Sequence, residues 1–346
     1  MQILDGHNDL LFRLWQKTPA AAVSEFIDGR PRGQLDLPRM HDGHFAGGMF
    51  AMFVPSNADQ GHTYQTLNPP PYPPVDLETA QTAAEEQLEI FDALVTDVPN
   101  HGFRHCLTAA DMRLAMSEGA IAAVLHMEGC EAIGPELEGL DELYARGLRS
   151  LGPVWSRNNV FGNGVPFAWP SSADHGGGLS EAGKALVAAC NQKRIVVDLS
   201  HFNLKGFWDV AKLSNAPLIA THSNVHALCA SSRNLTDDQL RAIGESKGMV
   251  GLNYAIDFLQ NDGLMDRNIP PERLIRHLEH MIKIAGEDSV GLGSDFDGAT
   301  IPDFIGDVAG LPHLVTAMEQ AGFGTPLIEK LTHKNWLRVL ELTWGA

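Results

Sequence analysis

Ile3–Phe12, ILDGHNDLLF, sets His7 and Asp9 two residues apart inside an apolar run, close to the start of the chain. Residues two apart on a β-strand share a face. A strand over Gln2–Leu10 therefore aims an imidazole and a carboxylate at one point. Such a pair is either exposed polarity at a strand end or the first two ligands of a metal site.

Seven further strand-like runs follow: Gly48–Val54, Ile121–Glu128, Leu148–Trp155, Ile195–His201, Leu218–Ser223, Met249–Tyr254 and Val290–Asp295. Helix-like stretches lie between them, at Asp76–Thr96, Leu137–Arg146, Ser180–Lys193, Leu204–Leu213, Thr236–Glu245 and Pro271–Ala285. Thr236 followed by two aspartates marks a helix start, where a hydroxyl and early carboxylates satisfy free N–H groups. Strands alternating with helices build a parallel sheet, and eight such units build a closed (β/α)8 barrel of TIM type. A doubly wound open sheet is the alternative, since periodicity does not report closure. No linker is evident, so residues 1–346 are expected to form a single barrel domain.

Two segments stand outside this rhythm. Pro55–Asp76, PSNADQGHTYQTLNPPPYPPVD, is too long for an ordinary connection after the second strand and reads as a lid, a dimer contact or an extended arm. The closing stretch LIEKLTHKNWLRVLELTWGA has apolar residues at helical spacing and is expected to pack as a final helix.

Composition narrows the function classes. The 346 residues carry a net charge of −18, which disfavours nucleic acid and anionic membrane surfaces as partners. Cys106, Cys130, Cys190 and Cys229 lie far apart with no CxxC pair, so neither a disulfide framework nor a thiolate zinc site is expected. No leader-like run precedes Asp5, and no apolar run approaches the roughly 20 residues of a membrane span. The excess is in histidine, of which there are 15.

The chemically able residues fall at the ends of the strand-like runs. GHND ends the first, HMEG the third, VDLSH the fifth, ATHS the sixth and GLGSDFDG the eighth. Barrel active sites form at the carboxyl ends of the strands. His7, Asp9, Glu128, His201, His222 and Asp295 are thereby delivered to one rim. Taken singly each has a bland reading: a histidine after a strand is more often a cap than a ligand, and a buried glutamate can be a salt-bridge partner. Asp297 reads as a turn cap and His126 as a residue one layer deeper than Glu128. His101, His105, His277 and His280 read as surface residues, and His41 and His44 fall at the opposite end of the barrel. Imidazoles and carboxylates suit Zn²⁺, and five such ligands are too many for one catalytic zinc but fit two sharing Glu128. A hydroxide held between two ions is a nucleophile at neutral pH, and Asp295 is left to move a proton.

These motifs, with THSNVHALCASSRNLTDDQL, GLNY and KNWLRVLE, resemble in their order the membrane (renal) dipeptidases, binuclear-zinc peptidases with amidohydrolase-like barrels. The resemblance runs nearly end to end. It implies two zinc ions per chain, one held by His7, Asp9 and Glu128 and the other by Glu128, His201 and His222, with Asp295 as proton shuttle. It also implies that Arg233 receives the substrate carboxylate, and that Trp155 and Tyr254 lie among the substrate contacts. One departure stands out: where the family carries a histidine that contacts the scissile carbonyl, this chain has Trp155, with Arg157, Asn158 and Asn159 as nearby donors. The expected activity is hydrolysis of small dipeptides, including those ending in a D-residue, by a cytoplasmic bacterial-type member, with a homodimer as the assembly left open. Asp9 or Asp174 could meet a free substrate amine. Two rivals remain: removal of an N-acyl group from an amino acid, and a non-catalytic barrel used as a binding module.

Overall fold

The structure, a computed structural model, describes residues 1–29, 32–56, 69–262 and 265–345. Its strands are β1 (Ile3–Asn8), β2 (Phe45–Phe53), β3 (Phe103–His105), β4 (Ile121–Glu128), β5 (Leu148–Gly152), β6 (Val196–Val197), β7 (Ile219–Ala220), β8 (Met249–Leu252) and β9 (Val290–Leu292). All pair in parallel, as two arcs ordered β1-β2-β4-β5-β6 and β7-β8-β9. Single bridges, Asp198↔Ile219 and Asn8↔Phe296, join the arcs into a closed (β/α)8 barrel. The open-sheet alternative is thereby set aside.

Three differences from the sequence expectation have physical causes. The extra strand β3 pairs with Ile121–Ala123 at the start of β4, while β5 takes Leu125–Glu128 further along. Its three residues are too few to show a period. Asp9 lies beyond β1, opening the short helix Leu10–Leu14, so it does not share a strand face with His7. His277 is fully buried, not on the surface: its Nδ1 accepts from the Val225 N–H and its Nε2 lies 3.2 Å from the Leu259 carbonyl.

Helices Leu204–Leu213 and Pro271–Ala285 fall where their periodicity places them. Thr236 caps Asp237–Glu245 in a reciprocal arrangement with Gln239. The helices Pro19–Asp28, Ala109–Ser117 and Leu311–Gln320 were not anticipated. Of the segment Pro55–Asp76, residues 57–68 lie outside the described residues. Beyond them Tyr72 is packed into the body of the fold, its ring 4.7 Å from that of Trp155.

The core has two layers. Alternation along β4 puts Ala122 and Val124 inside the barrel, and Ile121, Ala123, Leu125 and Met127 against the surrounding helices. The final helix, Asn335–Trp344, closes the amino-terminal end. Its buried Trp336 donates Nε1–H to the Leu292 carbonyl. Gly6 is required there, because a Cβ would lie 2.3 Å from the Thr221 carbonyl and 2.4 Å from the Trp336 ring. With one end sealed, the carboxyl rim is left for chemistry.

Candidate active site

The inward series of β4 continues past Val124 to His126 and Glu128. Glu128 thus stands at the rim, with Oε1 2.9 Å from His201 Nε2, 3.4 Å from His222 Nε2 and 3.6 Å from His7 Nε2. Asp9 Oδ2 lies 3.3 Å from His7 Nε2 on the other side. Asp295 completes a second group with His7 and Asp9, all within the spacing of ligands to one ion. All six residues named from the strand ends are therefore brought into one cluster. His201 and Asp295 adopt left-handed backbone, with φ of 67° and 61°. For residues with side chains this conformation is uncommon and gathers at functional sites.

The cluster is short of positive charge. Burial pushes the Glu128 and Asp295 carboxyls up, offset in part by His7. Burial alone would lower His7, but Glu128 and Asp9 raise it to about 10. Burial drives His201 and His222 well below the ordinary range, leaving neutral imidazoles with free lone pairs. Among the described residues neither ring nitrogen of buried His7 makes a hydrogen bond, although carboxylates of Asp9 and Glu128 stand 3.3 and 3.6 Å from Nε2. A buried imidazole beside two buried carboxylates and a half-buried one fits a site built for divalent cations.

Supporting contacts fix three of the clustered side chains. Ser156 Oγ lies 2.8 Å from His201 Nδ1, and Thr221 Oγ1 2.8 Å from His222 Nδ1. Asn253 donates to Asp295 Oδ2 at 2.9 Å. Two buried aspartates that sequence reasoning passed over pin the barrel seams. Asp5 accepts from Ser294 N and Oγ, and Asp198 from Ser200 N and from Thr221 N and Oγ1. Their signal was an aspartate within an apolar strand, in ILDGH and VVDLSH.

Above the cluster opens a cavity of about 820 Å³, with Asp9, Glu128, His201 and Asp295 in its lining. One wall is aromatic: Trp155 packs against Phe53 (5.0 Å between centroids), Tyr72 (4.7 Å), Phe167 (5.5 Å) and the His201 ring (5.8 Å). Of the donors near Trp155, Arg157 is buried against Glu131 and the Val54 carbonyl, and Asn159 binds Pro153 and Phe161. Asn158 is exposed, outside this cavity's lining. Arg233 is buried and outside this cavity's lining, with Nη2 donating to the His222 carbonyl and Nε without a partner among the described residues. Tyr254 is buried against Phe296 and does not line the cavity. Asp174 is exposed, 3.9 Å from Lys205. Asp297, read as a turn cap, pairs with Arg13 at 2.7 Å on the cavity's polar side.

Fold and donor set together define the class: an amidohydrolase-like barrel with candidate metal ligands gathered at its carboxyl rim. The family model for membrane dipeptidase, peptidase family M19, matches residues 1–343, and the chain belongs to that family. It is a metallo dipeptidase, a hydrolase of peptide bonds. Among solved structures, the dipeptidase AC, a metallo peptidase, is 50% identical over 100% of this chain and 99% of its own, with a TM-score of 0.95. A metallo peptidase from Rhodobacter sphaeroides, liganded with a phosphinate mimic of the dipeptide L-Ala-D-Ala, is 49% identical over 99% of each chain, with a TM-score of 0.92. A protein from the pqqA 5′ region of Klebsiella pneumoniae is 44% identical over 79% of this chain and 98% of its own. Among the described residues no helix is long and apolar enough to cross a membrane.

Proposed function

We propose that the protein hydrolyses small dipeptides, including those with a C-terminal D-residue, using two zinc ions that share Glu128. The carrying observation is Glu128 Oε1, which lies within 3.6 Å of all three histidines. His7 and Asp9 would complete one site, and His201 and His222 the other. Two such ions would supply a water acidic enough to attack at neutral pH and would polarise the scissile carbonyl.

The chain's own residues supply the rest. Asp295, oriented by Asn253, accepts the proton of the attacking water and returns it to the leaving amine. Arg233 receives the substrate carboxylate: its unpartnered Nε is a buried charged donor for which a carboxylate is the matching acceptor. Trp155 acts as a wall, since aromatic rings surround its indole. Of Asp9 and Asp174, Asp9 lines the cavity and is the one placed to meet a free substrate amine. The substrate analogue held by the Rhodobacter sphaeroides relative supports the choice of dipeptide and of a C-terminal D-residue.

A screen of L,L, L,D and D,L dipeptides, with zinc content measured in the same sample, tests this reading. Turnover of a free dipeptide but not of its N-acetylated form is expected. Preference for the acetylated form would transfer the activity to N-acyl-amino-acid deacylation.

A further inference from the structure

We infer that Asp198 and Thr221 set the ring tautomer of His222, holding its proton on Nδ1 so that Nε2 keeps a lone pair for metal. The inference rests on His222 being a ligand, and deepens that reading by naming what makes it one.

The argument counts hydrogens. The Thr221 hydroxyl has one proton, and it donates that proton to Asp198 Oδ2 at 2.6 Å. Toward His222 Nδ1, 2.8 Å away, the hydroxyl can then only accept. The imidazole proton must therefore sit on Nδ1. Asp198 cannot easily turn away, because its Oδ1 also accepts the backbone N–H groups of Ser200 (3.0 Å) and Thr221 (2.8 Å). The same aspartate forms the Asp198↔Ile219 bridge that closes the barrel, so the orienting carboxylate is as fixed as the barrel seam.

A competing pull makes the device necessary. Glu128 Oε1 lies 3.4 Å from His222 Nε2, where a carboxylate favours a proton, and His201 Nε2, 3.1 Å from the same nitrogen, would accept that proton as readily as donate its own. A proton on Nε2 would block metal binding. Among the described residues one of the three histidines is governed this way: no partner shown for the Ser156 hydroxyl beside His201 fixes its direction, and His7 Nδ1 makes no hydrogen bond.

Three variants separate tautomer control from packing. Thr221→Ser keeps the hydroxyl. Thr221→Val keeps the shape and loses it. Asp198→Asn reverses the chain: its oxygen stays with the two backbone donors, so its amide N–H faces Thr221, whose proton turns to His222 Nδ1. The ring proton then moves to Nε2. ¹⁵N-histidine NMR of the metal-free proteins reads this directly, with His222 assigned by substitution, and zinc titration reads the consequence. Wild type and Thr221→Ser should show Nδ1–H. Thr221→Val should show both tautomers and a 10–100-fold loss of zinc affinity, the range for supporting partners of metal ligands. Asp198→Asn should show Nε2–H and the largest loss.

Wild type with Nε2–H would overturn the inference, as would Asp198→Asn with an unchanged tautomer and affinity. If Asp198→Asn does not fold, equal zinc affinities for Thr221→Ser and Thr221→Val overturn it. Absence of zinc binding by the wild type would instead remove the proposed function, while the tautomer pattern still decides this point.

Discussion

Asp295 separates holding a metal from moving a proton. Its carboxylate accepts from Asn253 and stands with His7 and Asp9, so Asp295→Asn keeps its size and hydrogen bonding but cannot accept a proton. Zinc content and folding should stay near normal, while kcat falls by about 10²–10⁴ with KM little changed. Loss of zinc, read by metal analysis, would recast Asp295 as a ligand. At Trp155 the expectation is different in kind. Trp155→Ala should shift substrate preference and KM, because the indole packs among rings; a donor to the reacting oxygen would instead cost about 10²–10³ in kcat. Residue-level reading reached the six clustered side chains because each is a polar end on an apolar run. It missed His277, although Leu274, Ile275, Leu278 and Met281 set the buried face on which that histidine lies. It misplaced the cause of the His7–Asp9 pairing, since strand periodicity stops at Asn8 and a helix turn carries Asp9 back.

Helix Pro271–Ala285 ties its buried histidine to two neighbouring segments, and the tie depends on charge. Burial drives His277 down to about 4, against the Leu259 carbonyl, which favours the proton. Its Nδ1 accepts the Val225 N–H, so a second ring proton would face another donor. The unfolded chain binds this proton near pH 6.5 and the folded chain only near 4, so stability is full above 6.5 and falls as pH drops through that window. A shift of this size corresponds to about 3 kcal/mol across the window. His277→Gln should flatten that part of the stability–pH curve, measured by urea unfolding from pH 7 to 4, at some cost in stability at neutral pH. An unchanged slope would show that His277 does not titrate on unfolding. At this scale, legibility followed length. Long periodic helices were readable, and the runs Ile195–His201 and Leu218–Ser223 held the two-residue strands β6 and β7, whereas β3, with three residues, is too short for any period. The helix Ala109–Ser117 did carry a signal, the reciprocal cap between Thr108 and Asp111.

For the molecule as a whole, closure and chemistry use the same residues. The two arcs meet at single bridges, and at each seam a buried aspartate ties a loop bearing a clustered residue: Asp5 beside Asp295, Asp198 beside His201 and His222. Eight strand-like runs pointed to a barrel without reporting closure, and the seam between β1 and β9 was not legible because these strands are 282 residues apart at their nearest ends (Asn8 and Val290). Divalent cations sharing Glu128, with His7 and Asp9 beside one seam and His201 and His222 beside the other, would tie both seams. Chelation should therefore lower the melting temperature and added zinc restore it, with a concentration dependence set by binding to the folded form alone. Glu128→Gln, which removes the shared charge, should reduce zinc from two per chain towards one or none. The most direct test of the shared-carboxylate centre is anomalous diffraction at the zinc edge from zinc-loaded crystals. Two peaks about 3.5 Å apart, one on each side of Glu128, are the result predicted. A single peak, or two peaks that do not both contact Glu128, would contradict it.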